Sequence, residues 1–359
     1  MIIAFDMTPA LLSPAGIGRY AREVERALSR RSDVELIHMA ASRRHARSTA
    51  ARVALGLQRE LAYYPVALGR RARRAGADLL HCPSQAGPVR ARLPLVMTVH
   101  DLLPLRFPEL FTSVNTTHMR VMARAVLPRA DRIIVGSRYT RGELSALVGV
   151  PDERIEVVPY GIGPQFGLQA PDREWLKRRF RLGGRYIVCV GTLEPRKNLV
   201  SALRAFRRLS PTHEDLQVAV VGGQGWRNER FEHEVLSTPG RVVRTGHVSD
   251  EELARLYSGA ECLVFPSLAE GFGFPVLEAM ASGTPVVSSN RSSLPEVVGD
   301  AGLLVEPDED EAIAAAIERI LGDPELAGDL RARGLRQARH FSWEACAEGT
   351  VGVYRRALS

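Results

Sequence analysis

The chain has 359 residues, of which 45% are hydrophobic, and its formal net charge is +7. This length and composition predict about two domains with ordinary buried cores. No apolar run reaches the length that a bilayer requires, which argues against an integral membrane protein.

The positive charge comes almost wholly from arginine, because the chain has only two lysines. A GC-rich genome alone would produce that bias, so we predict no nucleic-acid partner. The four cysteines lie far apart and mostly in apolar, strand-like runs, which predicts buried reduced thiols rather than a metal site; they are Cys82, Cys189, Cys262 and Cys346. Residues 1–6 predict a strand rather than a signal peptide, because they lack a charged start. We therefore expect a cytoplasmic protein.

A strand followed by an amphipathic helix recurs along the chain, which favours open parallel sheets with helices on both faces. Ligands of such sheets bind beyond the carboxyl ends of the strands. The first strand, residues 2–5, leads to a loop with Gly16 and Gly18 and then to a helix over residues 17–29. A plain turn explains these two glycines as well as a ligand-binding loop does.

An arginine-dense stretch follows over residues 42–74, with nine arginines interleaved with apolar residues. Two interpretations stay open for it. One is a helix with a solvated charged face. The other is an amphipathic segment that lies on an anionic membrane surface, which would make the protein peripheral at the inner face of the membrane.

Strands are predicted over residues 78–82 and 94–99, and the second of them ends in His100 and Asp101. A histidine at the carboxyl end of a strand lies where ligands bind, although local capping or packing is an alternative. The last strand of this half, residues 155–158, precedes two prolines and two glycines within residues 159–164. We therefore place a linker at residues 159–170.

The second half restarts with a strand over residues 186–190, which ends in Gly191 and Thr192 and leads to Arg196 and Lys197. Two cations at the end of a strand would neutralise a diphosphate leaving group, with lysine as a point charge and arginine as a bidentate fork. Ordinary surface charge is the alternative. Further on, Ser249 and Asp250 compete for the N-cap of a helix.

The most informative stretch begins at Glu270, directly after a strand-like run over residues 262–265. Gly271 and Gly273 allow a ligand to approach the backbone, and Pro275 is suited to the first turn of a helix. The amides and dipole of that helix start favour an anion such as a diphosphate. Glu270 and Glu278 suit the hydroxyl groups on either side of such an anion. The alternative is a glycine turn with two surface carboxylates.

Asp308 and Asp310 resemble an Asp-x-Asp metal site when taken alone. They stand at the start of a predicted helix, where acidic residues complement the helix dipole. We therefore predict no metal site.

The stretch EGFGFPVLEAMASGTPVV, residues 270–287, resembles the signature of the retaining glycosyltransferases of family 4, and GTLEPRKN, residues 191–198, resembles a segment of their bacterial mannosyltransferases. The resemblance covers nearly the whole chain and is weakest over residues 40–74. It implies an α/β protein of GT-B architecture, with two Rossmann-like domains that face across a cleft. Residues 1–165 would bind the acceptor, residues 166–340 the nucleotide sugar, and residues 341–359 would form a helix that crosses back to the first domain.

The resemblance also implies roles for individual residues. Glu270 would contact the donor sugar and Glu278 the nucleotide ribose, and the loop around Val248 and Asp250 would border the base. The predicted catalytic residues are His100, Arg196, Lys197 and Glu270, and Asp101 is predicted to bind the acceptor. The predicted donor-binding residues are Gly16, Gly18, Thr192, Val248, Asp250, Gly271, Phe272, Gly273, Phe274, Val276, Leu277 and Glu278. Many family members have arginine where this chain has Thr192, so that cation is missing or is supplied elsewhere, for example by Arg196.

The implied reaction transfers a hexose, with mannose from GDP-mannose favoured, to a glycan or lipid-linked acceptor, with retention and without a metal or other cofactor. A UDP- or dTDP-sugar donor stays open. Alternatives from other classes are a sugar-nucleotide 2-epimerase of the same architecture and a nucleotide-sugar-binding protein without activity. The expected partners are therefore the donor and the acceptor, and an anionic membrane surface is added under the membrane interpretation of residues 42–74.

Overall fold

The computed structural model describes residues 1–13, 16–41, 58–226, 229–238 and 240–359. The chain divides into two compact units. The first unit comprises Met1–Gly161 and Ser342–Ser359, and the second comprises Ile162–Phe341. The first part of the expected membrane-surface stretch, residues 42–57, lies outside the described residues.

The first unit contains a sheet of six parallel strands in the order β2-β1-β3-β4-β5-β6. The strands are β1 (Ile2–Asp6), β2 (Glu35–Met39), β3 (Leu79–Cys82), β4 (Leu95–Val99), β5 (Arg132–Val135) and β6 (Ile155–Val157). The strand order reverses between β1 and β3, which pair with Ala4 opposite Leu80. Every residue of β3 and β4 is buried, as a parallel sheet covered on both faces requires.

The helices of the first unit connect these strands and cover the sheet. They are Thr8–Leu12, Gly16–Leu28, the π-helical Arg59–Leu68, Gly69–Arg74, Leu103–Arg106, Ser113–Ala125, Arg138–Val148 and the final Trp343–Leu358, with short 3-10 helices at Pro108–Leu110, Leu127–Arg129 and Asp152–Arg154. Ser137 caps the helix that follows it by accepting a hydrogen bond from the Thr140 amide. The final helix is tied to the sheet by its Tyr354 hydroxyl, which lies 2.7 Å from Nδ1 of His81.

Close packing explains one of the two early glycines. A Cβ atom on Gly18 would lie 1.8 Å from the carbonyl oxygen of Ser13 and 2.9 Å from that of Pro9. Helix Gly16–Leu28 therefore approaches the end of the preceding helix more closely than any residue with a side chain allows. Gly16 is exposed and begins the helix.

Within the described part of the arginine-dense stretch, most apolar side chains face the core. Tyr63, Tyr64 and Leu68 are buried, whereas Val66 is 45% exposed. These three side chains are therefore unavailable to a membrane, contrary to the apolar face that the membrane interpretation requires. Among the described helices, none is both long and apolar enough to cross a bilayer.

The second unit contains another sheet of six parallel strands, in the order β12-β11-β10-β7-β8-β9. The strands are β7 (Tyr186–Val190), β8 (Gln217–Val221), β9 (Val242–Gly246), β10 (Leu263–Phe265), β11 (Val286–Ser289) and β12 (Leu303–Val305). Its α-helices are Arg173–Phe180, Leu199–Leu209, Glu229–Leu236, Asp250–Gly259, Phe274–Ala281, Leu294–Val298, Asp310–Gly322 and Pro324–Ala338, and a 3-10 helix spans Pro195–Lys197. All four cysteines of the chain are free and buried, as their apolar surroundings predicted.

Candidate functional site

The strand order of the second sheet brings two distant segments together. The chain runs outward from β7 to β9 and then returns to place β10 on the other side of β7, so β7 and β10 are neighbours at the point where the order reverses. Ligands of open α/β sheets bind beyond the carboxyl ends of the strands at such a point. The segment after β7 carries Arg196 and Lys197, and the segment after β10 carries Glu270 and the glycine loop.

An ionic cluster joins these two segments. The two carboxylate oxygens of Glu270 bind different cations, Oε1 lying 2.6 Å from Lys197 Nζ and Oε2 lying 2.7 Å from Arg196 Nη1. Arg196 also contacts Glu194, with Nη2 lying 2.6 Å from Oε1. The four side chains are between 7% and 14% exposed. Two cations and two anions therefore share one nearly closed site at the carboxyl ends of the central strands β7 and β10.

The pKa values of the cluster follow from burial and from these contacts. Burial alone would raise the pKa of Glu270, but the charges of Arg196 and Lys197 outweigh it and lower that pKa to about 2. Burial lowers the pKa of Lys197, while the Glu270 carboxylate opposes this effect. Glu270 is therefore an anion at neutral pH, where its carboxylate stays paired with Lys197 and Arg196.

Lys197 reaches Glu270 through a narrow space. A Cβ atom on Gly191 would lie 3.0 Å from Cδ of Lys197, so glycine at this position leaves room for the lysine stem. The ammonium group lies 4.9 Å from the centre of the Phe265 ring. A cation over an aromatic face is stabilised by the ring quadrupole. Gly191 at the end of β7 thus leaves space for the Lys197 stem, and Phe265 at the end of β10 contacts its ammonium group.

The glycine loop is held by two serines that the sequence analysis did not assign to the site. The backbone amide of Glu270 donates to Ser292 Oγ at 2.9 Å. Ser293 Oγ lies 2.9 Å from the carbonyl oxygens of Glu270 and Phe272. Gly273 has φ 114° and ψ 49°, a backbone conformation that favours glycine. The loop geometry is therefore fixed from outside the loop as well as by its own glycines.

The helix Phe274–Ala281 begins at this loop, but two of its amides are already bonded. Val276 N and Leu277 N donate to Gly273 O at 3.1 and 3.3 Å. The resemblance implies that the Val276 amide, together with those of Phe272, Gly273 and Phe274, faces the sugar and the diphosphate, and this stays a prediction. In the structure the Val276 and Leu277 amides complete the first turn of the helix.

Glu278 lies on the inner face of this helix and is 2% exposed. Its Oε2 atom accepts a hydrogen bond of 3.1 Å from the hydroxyl group of Tyr257. Tyr257 belongs to helix Asp250–Gly259 and packs against the Phe166 ring, with 6.2 Å between the ring centres. Tyr257 is a third site residue that the sequence analysis missed, after Ser292 and Ser293, since its spacing to Glu278 carries no recognisable motif.

The loop after β9 shows which residue caps its helix. Ser249 is the N-cap, with a complete capping box to Glu252. Asp250 is the first helical residue, and its carboxylate accepts from the Gln165 side chain at 3.1 Å. Val248 is buried, and Thr192 after β7 is exposed. The open choice between Ser249 and Asp250 is thus decided for Ser249.

His100 stands at the carboxyl end of β4 in the first unit. Its Nε2 atom lies 3.1 Å from the carbonyl oxygen of Pro83, which can only accept, so Nε2 carries a proton. Nδ1 then accepts from the Tyr160 hydroxyl at 2.9 Å. Burial lowers the pKa of His100 to about 4, so the ring is neutral at pH 7. The Asp101 carboxylate accepts a hydrogen bond of 3.1 Å from the Leu103 amide, at the start of the short helix Leu103–Arg106.

Behind His100 lies a row of buried, hydrogen-bonded polar side chains that the sequence analysis did not predict. Tyr20 OH and His81 Nε2 each lie 3.0 Å from Thr98 Oγ1, and His81 Nδ1 contacts Tyr354. Burial lowers the pKa of His81 to about 3. These hydrogen bonds connect helix Gly16–Leu28, strands β3 and β4, and the final helix.

The acidic residues near Pro307 take part in an ion pair. Asp308 contacts Arg291 at 2.8 Å, and Asp310 begins its helix. In the described ranges, no three histidine, cysteine or acidic side chains form a group suited to a metal ion.

Comparison with known proteins follows the division of the chain. The model named "Glycosyltransferase Family 4" matches residues 14–166, and the model named "Glycosyl transferases group 1" matches residues 173–337. The O-antigen chain mannosyltransferase B of Escherichia coli is 36% identical over 266 residues, which are 72% of this chain and 70% of that protein. The serotype-specific mannosyltransferase WbdA of Escherichia coli is 30% identical over 272 residues, 73% of this chain but only 33% of WbdA.

Other relatives are more varied. The D-inositol 3-phosphate glycosyltransferase of Acidothermus cellulolyticus is 32% identical over 74% of this chain and 63% of its own length. Among solved structures, the sucrose-phosphate synthase from Thermosynechococcus elongatus gives a TM-score of 0.78 at 22% identity, covering 99% of this chain and 98% of that one. Anabaena Alr3699/HepE, in complex with UDP and glucose, gives a TM-score of 0.77 at 18% identity, covering 99% and 100%. These two structures share the fold of the chain.

Proposed function

The chain belongs to the group 1 glycosyltransferases of family 4, with the GT-B fold, and on this basis we propose that it transfers mannose from GDP-mannose to a glycan or lipid-linked acceptor. The observation that carries this proposal is the bridge from Glu270 to Lys197 and Arg196 at the switch point of the second sheet. Mannose as the sugar is supported by the names of the two Escherichia coli relatives and by the segment at residues 191–198.

The donor would bind across the two carboxylates of the second unit. Glu270 accepts from hydroxyl groups of the mannosyl ring, and Glu278 accepts from a ribose hydroxyl, with Tyr257 holding the Glu278 carboxylate in place. The diphosphate lies between them and takes Lys197 as its main cation. Because Lys197 and Arg196 already share Glu270, the donor joins an existing ionic cluster and does not have to assemble one. No further cofactor is needed for this proposal.

We propose transfer with departure and attack on the same face of the sugar. The bond from the anomeric carbon to the diphosphate oxygen breaks, and a bond to the acceptor oxygen forms. The acceptor proton passes to the departing phosphate. Glu270 is a poor nucleophile for a covalent intermediate, because both its oxygens bind cations and its pKa is about 2. The protein therefore works by positioning the reactants and by stabilising the negative charge that develops on the leaving group. His100 and Asp101 are proposed to serve the sugar and the acceptor from the end of β4.

A nucleotide screen tests the donor assignment. The unfolding temperature is measured with GDP, UDP, dTDP and ADP, each with and without EDTA. A ligand at about 100 times its Kd stabilises the folded protein by about 2.7 kcal/mol, so GDP alone should raise the unfolding temperature, with or without EDTA. A shift with UDP or dTDP alone would cancel the mannose assignment. No shift with any nucleotide would overturn the nucleotide site itself.

Turnover of the identified donor then tests the mechanism. Lys197→Ala should lower turnover by about 10²-fold, as expected for one lost donor to the transition state. Unchanged turnover would remove Lys197 from the mechanism. A 2-epimerase would instead convert the donor sugar without any acceptor present, and this outcome would replace the transferase proposal.

A further inference from the structure

We propose that a surface cavity of the first unit binds the phosphate group of a phosphorylated ligand. The cavity has a volume of about 500 Å³. Half of its ten lining residues are arginines, and none is acidic; the arginines are Arg70, Arg73, Arg74, Arg90 and Arg92. We call it the arginine cavity. The transfer reaction proposed above neither uses nor requires it.

Two chain segments build the arginine cavity. Helix Gly69–Arg74 supplies one wall, and residues 89–92 supply the other. Gly69 lets the two segments meet, because a Cβ atom there would lie 3.0 Å from Cα of Ala91 and 3.1 Å from its carbonyl oxygen. Close backbone packing therefore holds the arginines of one segment opposite those of the other.

The position of each arginine on helix Gly69–Arg74 decides whether it lines the cavity. Arg73 and Arg74 follow Arg70 by three and four residues, which places all three on one face. Arg71 lies between them in sequence, but its guanidinium donates to the carbonyl oxygen of Ala40 and it does not line the cavity. The helix therefore presents three cations to the cavity and turns the fourth away.

Within the part of the chain that the structure describes, none of the five cavity arginines makes an ion pair or a side-chain hydrogen bond. By contrast, Arg291 contacts both Glu306 and Asp308, and Arg333 contacts Asp329. Five like charges around one cavity repel one another, and an anion with several negative charges would relieve that repulsion. Guanidinium groups match phosphate oxygens as bidentate forks, which makes phosphate the ligand chemistry that best fits.

Within the first unit, the arginine cavity and the pair His100 and Asp101 lie toward opposite ends of the sheet. Helix Gly69–Arg74 leads into the amino end of β3, and residues 89–92 lead into the amino end of β4. His100 and Asp101 follow the opposite, carboxyl end of β4. The volume lies within the range of about 300–1,000 Å³ typical of small-molecule sites, so the cavity has room for part of the molecule that carries the phosphate. A lipid headgroup and a soluble phosphate ester share this chemistry.

Calorimetric titration with inorganic pyrophosphate tests the proposal. Arg73→Ala/Arg90→Ala removes one cation from each wall, and we expect affinity to fall by about 10-fold or more, because hydrogen bonds to charged groups are strong. The charge-matched control Arg120→Ala/Arg124→Ala lies on the exposed face of helix Ser113–Ala125 and should bind as the unmodified protein does. Arg73→Lys/Arg90→Lys keeps the charge but loses the forks, so it should recover only part of the affinity.

Pyrophosphate could also bind at Lys197, and the variants separate the two sites. Lys197→Ala should leave the binding that depends on Arg73 and Arg90 intact. If Lys197→Ala abolishes all pyrophosphate binding, or if the cavity variant binds like its control, the proposal is overturned.

A sedimentation assay then identifies the source of the phosphate. Vesicles of phosphatidylcholine with phosphatidic acid are compared with vesicles of phosphatidylcholine alone. Binding to the first that is lost in Arg73→Ala/Arg90→Ala and competed by pyrophosphate assigns the cavity to a lipid headgroup. Pyrophosphate binding without vesicle binding assigns it to a soluble phosphate ester. Vesicle binding that persists in the cavity variant would show that charge elsewhere attracts the membrane and would contradict a headgroup site here.

Discussion

Glu270 holds two cations at once, one with each carboxylate oxygen, and so has no freedom to rotate without breaking an ion pair. A carboxylate fixed in this way presents its remaining lone pairs in set directions. Such preorganisation is what a sugar hydroxyl needs in order to be held for reaction. The cost is that Glu270 also neutralises the cations that the diphosphate would use. The same side chain therefore couples recognition of the sugar to the charge available for the leaving group.

This coupling makes a prediction for Glu270→Gln. Glutamine keeps the shape but removes the negative charge, so Lys197 and Arg196 become more available to a diphosphate. We expect turnover to fall by about 10²-fold, as for loss of one preorganised polar contact, while the affinity for free GDP stays equal or rises. Turnover assays and calorimetry with GDP measure the two effects. Glu311→Gln, which removes an exposed partner of Arg208, is the matched control. A parallel loss of GDP affinity would move Glu270 from the sugar to the nucleotide.

The charged residues of this site could be predicted from the sequence, but the residues that hold them in place could not. Arg196, Lys197 and Glu270 follow strands, and the strand order of an α/β sheet brings such positions together. Glu194 lies in the same segment, yet nothing in the sequence distinguishes a carboxylate that orients Arg196 from an ordinary surface charge. Ser292, Ser293 and Tyr257 come from segments whose approach depends on tertiary packing, for which a single sequence carries no spacing signal. Only the structure shows their contacts: Ser292 and Ser293 bond to the backbone of the glycine loop, and Tyr257 bonds to Glu278.

At the scale of elements, hydrophobic patterning predicted most strands and helices to within a few residues. Strand β7 and helix Gly16–Leu28 differ little from their predicted ranges, because long apolar runs and amphipathic periods leave few alternatives. Helix Thr8–Leu12 was missed, since five residues with a proline near the start resemble a loop. The π-helical Arg59–Leu68, with Pro65 inside it, has no periodicity that would separate it from an ordinary helix.

A substitution at Gly18 tests whether this glycine serves helix packing or donor binding. Gly18→Ala would place its Cβ against two backbone carbonyls, so helix Gly16–Leu28 must shift. We expect the free energy of unfolding to fall by about 1–3 kcal/mol, as overpacking usually costs, with nucleotide affinity unchanged.

Gly142→Ala is the matched control, because a Cβ atom there meets nothing within 4 Å in helix Arg138–Val148. It should leave stability equal or raise it by up to about 1 kcal/mol. Thermal unfolding and calorimetry with GDP measure both variants. Unchanged stability together with lost donor affinity in Gly18→Ala would favour the predicted donor contact over packing.

At the scale of the whole molecule, three buried ionisable groups make stability depend on pH. His81 and His100 are neutral when folded, because burial lowers their pKa values to about 3 and about 4 from an ordinary 6.5. Asp6 acts in the opposite direction. Burial raises its pKa from 3.8 to about 6, although hydrogen bonds from Thr8 and Tyr63 partly offset this.

The directions of these pKa shifts predict how the stability of the protein changes with pH. Below about pH 6.5 the unfolded chain binds protons at both histidines and the folded protein does not, so stability falls on acidification by about 1.4 kcal/mol per pH unit for each histidine. Below about pH 6 the folded protein gains a proton at Asp6 before the unfolded chain does, which offsets one histidine. We therefore expect the unfolding temperature to fall from pH 7 to pH 4. His81→Gln should flatten this dependence, whereas a temperature independent of pH across that range would contradict buried neutral histidines.

The division of the chain has a consequence for how the protein is made on the ribosome. The second unit is one continuous segment, Ile162–Phe341, whereas the first requires residues 342–359 in addition to residues 1–161. Tyr354 and Trp343 fill the first unit beside His81 and Tyr20, so that core stays open until the final helix emerges. The second unit has all its strands before then. The half that is synthesised first is thus the last to close, and a chain truncated before residue 342 would carry a complete second sheet beside an unfinished first unit.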